Sequence, residues 1–433
     1  MGALIHLSVG RLEIDWGKNS TFADHSSLFQ STDLMQVSYY YVADGSEGEQ
    51  DEQGNYHFDF VTEYRDGLSK PLWQVIDRIN LLGHTLEYAK REFEYLSRLN
   101  RFDMKKFSFD QLAEALATVD VNTISVDYGQ GEDFGEFFRG YLYDKLGLAK
   151  IVGDKHYVRD QVGEGMENLS AYTVLQLVAR NPSAKDLPVT WQFADVEDDG
   201  YAHRTDFVRP LDQSKRFLIV TEGSSDATII HHAIKLLKPH LIDFFDFVDM
   251  NEGYPFSGTG NLFNFTKGLI SIAVQNNVVI LYDNDAEGVF NFNRTSRLNV
   301  PRNMRILKLP DRPEFFAFQT LGPSGNHTGN INRRAAAIEC YLDVGPSPKV
   351  RWTSYNRELD AYQGELVGKT EFMRRFFDTA AVDGTYNLSK ISSVVDMLIS
   401  ECGAMREAGM LADLQRQIEN EFPGDDDEED VKG

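Results

Sequence analysis

Hydrophobic and polar positions fall into four textures along the chain. Residues 1–65 carry alternating or β-rich runs, HLSVGRLEIDW, LMQVSYYYVADG and YHFDFVTEY, and predict strands. From Ser69, PLWQVIDRINLLGHTLEYAKREFEYLSRL places apolar residues at helical spacing, with Pro71 as a first-turn proline. FDQLAEALATV, EDFGEFFRGYLYDKLG and LSAYTVLQLVARN repeat that spacing, so residues 70–185 read as mostly helical. From Arg216 the rhythm becomes β/α alternation: FLIVTE, a helix in SSDATIIHHAIKLL, the strand IDFFDFVDM, a helix in GNLFNFTKGLISIAVQNN, the strand VVILYDND, a short helix in DAEGVFNFNRTSR and a fourth strand MRILKLP. Past Pro346 the chain is expected to be helical, in KTEFMRRFFDTAA and ISSVVDMLISECGAMREAGMLADLQRQIENEF. No internal repeat is present.

Continuous apolar strands alternating with helices imply a parallel sheet covered on both faces. The fold class is therefore α/β, with a four-stranded parallel, Rossmann-like sheet. A mixed β-then-α region precedes it and a small helical region follows. The expected boundaries are an N-terminal region at 1–190, a linker at 191–214, the β/α domain at 215–345, a helical region at 346–421 and an acidic, disordered tail at 422–433.

Composition narrows the function classes. The chain has 433 residues, 42% of them hydrophobic, and no run approaches the ~18–20 apolar residues that cross a bilayer. The first residues lack the basic segment and cleavage site of a signal peptide, so a soluble cytoplasmic protein without membrane partners is expected. Two cysteines, Cys340 and Cys402, are too few for a disulfide framework or a Cys-rich zinc site. Lys and Arg total 43 against 67 acidic residues, a net charge of −24, whereas nucleic-acid-binding domains are usually basic. Part of the excess lies in Asp425–Asp430, and part in loop-like stretches at Glu47–Glu52 and Asp195–Asp199. Net charge bears on solubility rather than on what one cleft binds.

The candidate chemistry lies in the β/α segment. Ligands of such sheets bind at the carboxyl ends of the strands. Glu222 ends the first strand and Asp283 the third, so both emerge at that end, with Asp285 two residues on and Gly288 allowing a tight passage into the next helix. Three acids converging at ~4–6 Å repel one another unless a cation lies between them. Oxygen-only ligands favour Mg²⁺ or Mn²⁺ over zinc, an arrangement used in phosphate chemistry.

These residues resemble the Toprim signature, a Glu after a hydrophobic strand, commonly in EGxxD, and a later DxD after another. The chain reads Glu222-Gly223-Ser224-Ser225-Asp226 and Asp283-Asn284-Asp285, and the resemblance covers roughly residues 215–310. It implies catalytic and metal roles for Glu222, Asp283 and Asp285. Asp226, one turn into the first helix, is a candidate for a second metal or a first-turn acid favoured by the helix dipole. Glu339, in INRRAAAIECYL, is similar to a motif following the core in some defence-related Toprim proteins and is a further candidate ligand on a helix. Glu287 is expected to face solvent.

Arg294, Arg297, Arg302, Arg305 and Lys308 follow the DxD helix with no acid among them, and Arg333 and Arg334 precede Glu339. This reversal of sign suggests a nucleic-acid groove, since arginine grips phosphate bidentately. No GxxxxGK[ST] is present, which argues against a P-loop ATPase. Arg78 and His84 have the R-x₅-H spacing of HEPN ribonucleases, but six residues apart places them on different helix faces. Residues 1–100 resemble the N-terminal domain that accompanies HEPN or Toprim domains in bacterial conflict systems.

A primase or recombination mediator would need zinc modules, and a topoisomerase a longer chain. The resemblance therefore implies a stand-alone Mg²⁺-dependent nuclease of an antiphage defence system, acting on DNA or on tRNA or other RNA. A sensor or ATPase subunit would be its partner, and self-association is a further option. The alternative is a non-catalytic Toprim adaptor that binds nucleic acid.

Overall fold

The computed structural model describes residues 2–46, 48–50, 56–99, 107–124, 134–248, 258–357 and 360–423. The chain divides into two compact units, Met1–Leu211 with Met410–Gly433, and Asp212–Gly409. No helix among the described residues is long and apolar enough to cross a membrane.

The first unit is built on an antiparallel sheet of β1 (Leu4–Val9), β2 (Leu12–Lys18), β3 (Leu34–Val42), β4 (Phe60–Pro71) and β5 (Pro188–Gln192), in the order β2-β1-β5-β4-β3. Helices α1 (Leu72–Leu81), α2 (Leu86–Leu99), α3 (Phe109–Ala117), α4 (His156–Glu167) and α5 (Ala171–Val178) lie between β4 and β5 in sequence. The last strand thus inserts at the centre of the sheet. Residues 191–211 are not a linker: Trp191, Phe193, Val196 and Phe207 are core residues. The acidic stretch expected as a loop is a short helix, Ala194–Asp198, held by burial of Ala194 and Val196. Its acids outweighed its few apolar positions in the sequence pattern.

The long helix expected from Ser69 is broken into α1 and α2. Gly83 takes φ +95°, and the N–H groups of Gly83 and His84 donate to the carbonyls of Asn80 and Ile79. This is a left-handed C-terminal cap that only glycine enters without strain. Arg78, at the end of α1, is fully buried and donates from Nε to Ser27 O at 3.0 Å and from Nη2 to Phe29 O at 3.2 Å. It anchors the Ser26–Phe29 segment rather than facing a substrate. His84 instead packs edge-on against Tyr88 and Tyr172.

The second unit contains the parallel sheet. Its strands are β6 (Phe217–Val220), β7 (Phe245–Phe247), β8 (Asn277–Tyr282) and β9 (Met304–Lys308), ordered β9-β8-β6-β7 and all parallel. Every residue of β8 is buried, as its unbroken apolar run requires. Helices α6 (Ser224–Leu237), α7 (Thr259–Ser271) and α8 (Ala286–Thr295) connect them. Strand order reverses between β6 and β8, which makes the cleft at their carboxyl ends the topological switch point.

The segment after Pro346 is not purely helical. Strands β10 (Phe318–Gly322), β11 (Gly325–Gly329), β12 (Lys349–Asn356) and β13 (Ala361–Leu366) form a second, mixed sheet in the order β11-β10-β12-β13. Most residues of β12 and β13 are exposed or half-buried, so they lack the alternation by which a half-buried strand is recognised. Helices α9 (Lys369–Phe377) and α10 (Ser389–Glu421) follow, and residues from Met410 onward group with the first unit. The acidic run Asp425–Asp430 lies outside the described residues, as do Glu47, Asp51 and Glu52.

Candidate functional site

The site forms where β6 and β8 end. Two residues past β6, Glu222 accepts the backbone N–H of Asp283 on Oε1 at 3.0 Å, so the two loops are joined by a carboxylate. Asp283 in turn accepts the N–H of Ile338 on Oδ1 at 3.1 Å, which brings the 338–341 turn over the strand end. Asp285 caps α8, its Oδ1 accepting Gly288 N–H at 2.7 Å. A two-residue bridge pairs Asn284 and Asp285 with Ala336 and Ala335. Asp226 bends back to accept Gly223 N–H at 3.1 Å and the Ser225 hydroxyl at 3.1 Å.

Gly288 is required by close approach. A Cβ there would lie 2.3 Å from the Asp283 carbonyl oxygen and 3.0 Å from Glu222 Oε1. Any side chain would separate α8 from the carboxylates.

Charge dominates the site. Burial, then the negative charge of Asp285, pushes Glu222 up to about 8. Burial and then Glu339 push Asp226 up to about 6. Asp283 is raised well above the ordinary carboxylate range by burial, then by Asp226, Glu222, Asp285 and Glu339. Asp285 is raised by burial, against the N–H of Gly288. Asp283 retains some accessible surface although protein atoms crowd around it, as expected at the floor of a cleft.

Glu339 is buried, 7% exposed, but on a single 3₁₀ turn, Ile338–Tyr341, rather than on the helix expected from INRRAAAIECYL. The short turn is held by the buried Ile338, Cys340 and Tyr341. Glu287 is exposed. Lys369, at the start of α9, reaches to 3.9 Å from Glu339, the one ion pair with these five acids among the described residues. Its place far along the chain, in no motif, hid it from the sequence pattern.

The donor set fits a hard divalent cation: it is all oxygen, half-buried or buried, and underneutralised. Glu222, Asp283 and Asp285, with Asp226 and Glu339 beside them, are the residues that would hold one. Their side chains are not preformed as a cage; among the described residues no three His, Cys, Asp or Glu are grouped closely enough to hold a metal.

The basic residues divide. Lys308 ends β9 beside the site, with Nζ 2.9 Å from Asp311 and 3.3 Å from Asn284 Oδ1, and Arg333 donates from Nε to Asp311 at 3.0 Å. Arg334 is exposed and its backbone bridges Asp285. α8 carries the chain about 15 Å away from Asp285 over ten residues. Arg294, in its last turn, stacks on Phe263 at 3.8 Å, and Arg297 follows the helix. Arg302 precedes β9 and Arg305 is in register with Val279, at the amino ends of the strands. A strand's two ends lie at opposite ends of a parallel sheet, so Arg302 and Arg305 do not line one groove with the carboxylates.

Asn284, given no role from sequence, is fully buried at the centre of a polar network, donating to Asp311 Oδ1 at 3.0 Å. Lys308, then Arg333, outweigh burial to hold the Asp311 carboxyl below its ordinary value.

The fold and site define a mixed α/β protein with a carboxylate cleft at the switch point of a parallel sheet. Residues 1–215 match the family described as HEPN/Toprim N-terminal domain 1, which supports a Toprim-associated, nuclease-related protein. No curated protein and no solved structure matches the chain.

Proposed function

We propose that residues 215–345 form a Toprim catalytic domain of Rossmann-like topology. On this reading the protein is a metal-dependent nuclease that hydrolyses phosphodiester bonds of DNA or RNA. The observation that carries the reading is the convergence of Glu222, Asp226, Asp283, Asp285 and Glu339 at one end of the sheet, with Lys369 paired to Glu339. Retaining partly buried, mutually repelling carboxylates costs stability unless a cation joins them.

Asp283 and Asp285 would hold a Mg²⁺ or Mn²⁺ ion facing the scissile phosphate. Glu222 either completes a second ion site or accepts the proton of the attacking water on Oε2, because Oε1 is tied to Asp283 N–H. A divalent ion supplies Lewis-acid stabilisation of developing charge and lowers the pKa of its bound water. Lys308, Arg333 and Arg334 stand at the same end as phosphate-positioning cations. The match of the N-terminal region, with its resemblance to conflict-system domains, supports a bacterial antiphage effector working with a sensor or ATPase subunit.

A second reading, a non-catalytic nucleic-acid-binding adaptor, is favoured by the lack of a preformed metal group among the described residues. Cleavage of plasmid, linear DNA and total tRNA with Mg²⁺ or Mn²⁺ separates the two. The nuclease reading expects cutting by the wild type and cutting slower by about 10²-fold or more in Glu222→Gln and Asp283→Asn. Equal cutting by all three proteins, or cutting by none, removes it.

A further inference from the structure

Beyond the carboxylates, the β12–β13 hairpin carries an aromatic face. At its base, Val350 and Leu366 are buried; toward its tip, Tyr355 is 46% and Tyr362 57% exposed. Tyr355 and Tyr362 are cross-strand partners with ring centroids 5.0 Å apart, and Trp352 lies 6.2 Å from Tyr362. A register shift between Trp352 and Ser354 is the reason that residues three apart share one face.

Glycines form the floor beneath the indole. A Cβ at Gly364 would meet Trp352 Cε3 at 3.0 Å, and those at Gly322 and Gly329 would lie 3.8 and 4.0 Å from Cδ1 and Cζ2. Three strands therefore omit side chains where the ring lies across them.

Acids and cations mix around these rings: the Tyr355 hydroxyl donates to Asp360, and Glu365 lies across from Arg351, while the strand carrying Trp352 and Tyr355 is basic. Residues 345–357, GPSPKVRWTSYNR, hold Lys349, Arg351 and Arg357 and no acid. Arg351 and Arg357 are exposed. The hairpin is also tied to the carboxylate edge: Gln363 Nε2 donates to Glu287 Oε1 at 2.6 Å, two residues beyond Asp285.

We propose that this hairpin is a stacking platform for unpaired nucleobases, so that the substrate class of the site is single-stranded DNA or RNA. The proposal rests on the nuclease reading for its link to cleavage. Bases in a duplex stack on one another and offer only their edges, whereas unpaired bases offer faces to Trp352, Tyr355 and Tyr362. Lys349, Arg351 and Arg357 supply the phosphate contacts that such platforms combine with stacking.

The test is fluorescence anisotropy of labelled oligo-dT, oligo-U and a matched duplex with the full chain. Wild type in EDTA and Asp283→Asn in Mg²⁺ both keep the oligonucleotides intact. Either single strand should bind at least about tenfold more tightly than duplex, and Tyr355→Ala or Tyr362→Ala should each weaken that binding about tenfold. Tyr362→Trp should restore it, with melting temperatures unchanged. Equal binding of duplex, wild-type affinity in both alanine variants, or no oligonucleotide binding at all would overturn the platform; the last would favour a protein-docking face. Tyrosine-dependent binding without any cleavage by the wild type sinks the nuclease reading and leaves the platform standing. Cleavage unaffected by the tyrosine variants does the reverse.

Discussion

The carboxylate of Glu222 accepts the backbone N–H of Asp283 at 3.0 Å, joining the loops after two neighbouring parallel strands. A neutral amide can accept the same hydrogen bond. Glu222→Gln should therefore keep the fold and the 222–283 contact while removing the charge. We expect cleavage to fall by ~10²–10⁴-fold, the range for loss of a general base. Circular dichroism should be unchanged, and initial rates on the preferred substrate give the measurement.

Gly288→Ala tests the close approach of α8. The added methyl would meet backbone, which cannot rotate away as a flexible side chain can. A destabilisation of about 1–3 kcal/mol is expected in denaturant titration, the usual range for overpacking. Cleavage should be lost together with stability. A variant as stable and active as the wild type would show that α8 is free to shift.

Protonation of the acids gives stability a pH dependence. Glu222 titrates near 8 and Asp226 near 6 when folded, both above their ordinary values, chiefly through burial. Between about pH 5 and 8 the folded protein holds protons that the unfolded chain has released. Without divalent ions, its melting temperature should fall as pH rises through that window. Glu222→Gln should flatten the decline. Mg²⁺ should raise the melting temperature most at the alkaline end and release protons on binding, which calorimetry in buffers of different ionisation enthalpy measures.

Arg78 separates an anchor from an active-site residue. Arg78→Ala would leave the Ser27 and Phe29 carbonyls without this donor in a buried place. A loss of about 2–4 kcal/mol is expected on thermal or denaturant unfolding. His84→Ala should leave cleavage unchanged. Abolished cleavage in a fully stable His84→Ala protein would revive a HEPN-type role.

Several features were legible in the sequence because they are local. The unbroken apolar runs 217–220 and 277–282 announced buried parallel strands, and the acids following them had to emerge at one end of that sheet. Gly288 was identified as a point of tight passage, although its reason is the proximity of Asp283 O rather than backbone conformation. Arg302 and Arg305 were adjacent to the DxD helix in sequence but lie at the far end of the sheet, because α8 carries the chain from one end to the other. Lys369 and Asn284 could not be assigned, since their partners are distant in the chain.

By itself, the sequence determined the β/α alternation, the order of strands and helices, and which acids follow which strand. These depend on hydrophobic periodicity and chain direction. Only the tertiary structure decided which cations share the cleft, that β5 enters the middle of the first sheet, and that β12 and β13 pair with exposed aromatic residues. Those outcomes depend on pairing between distant segments, and in the hairpin on strands with too little buried surface to leave a periodic mark.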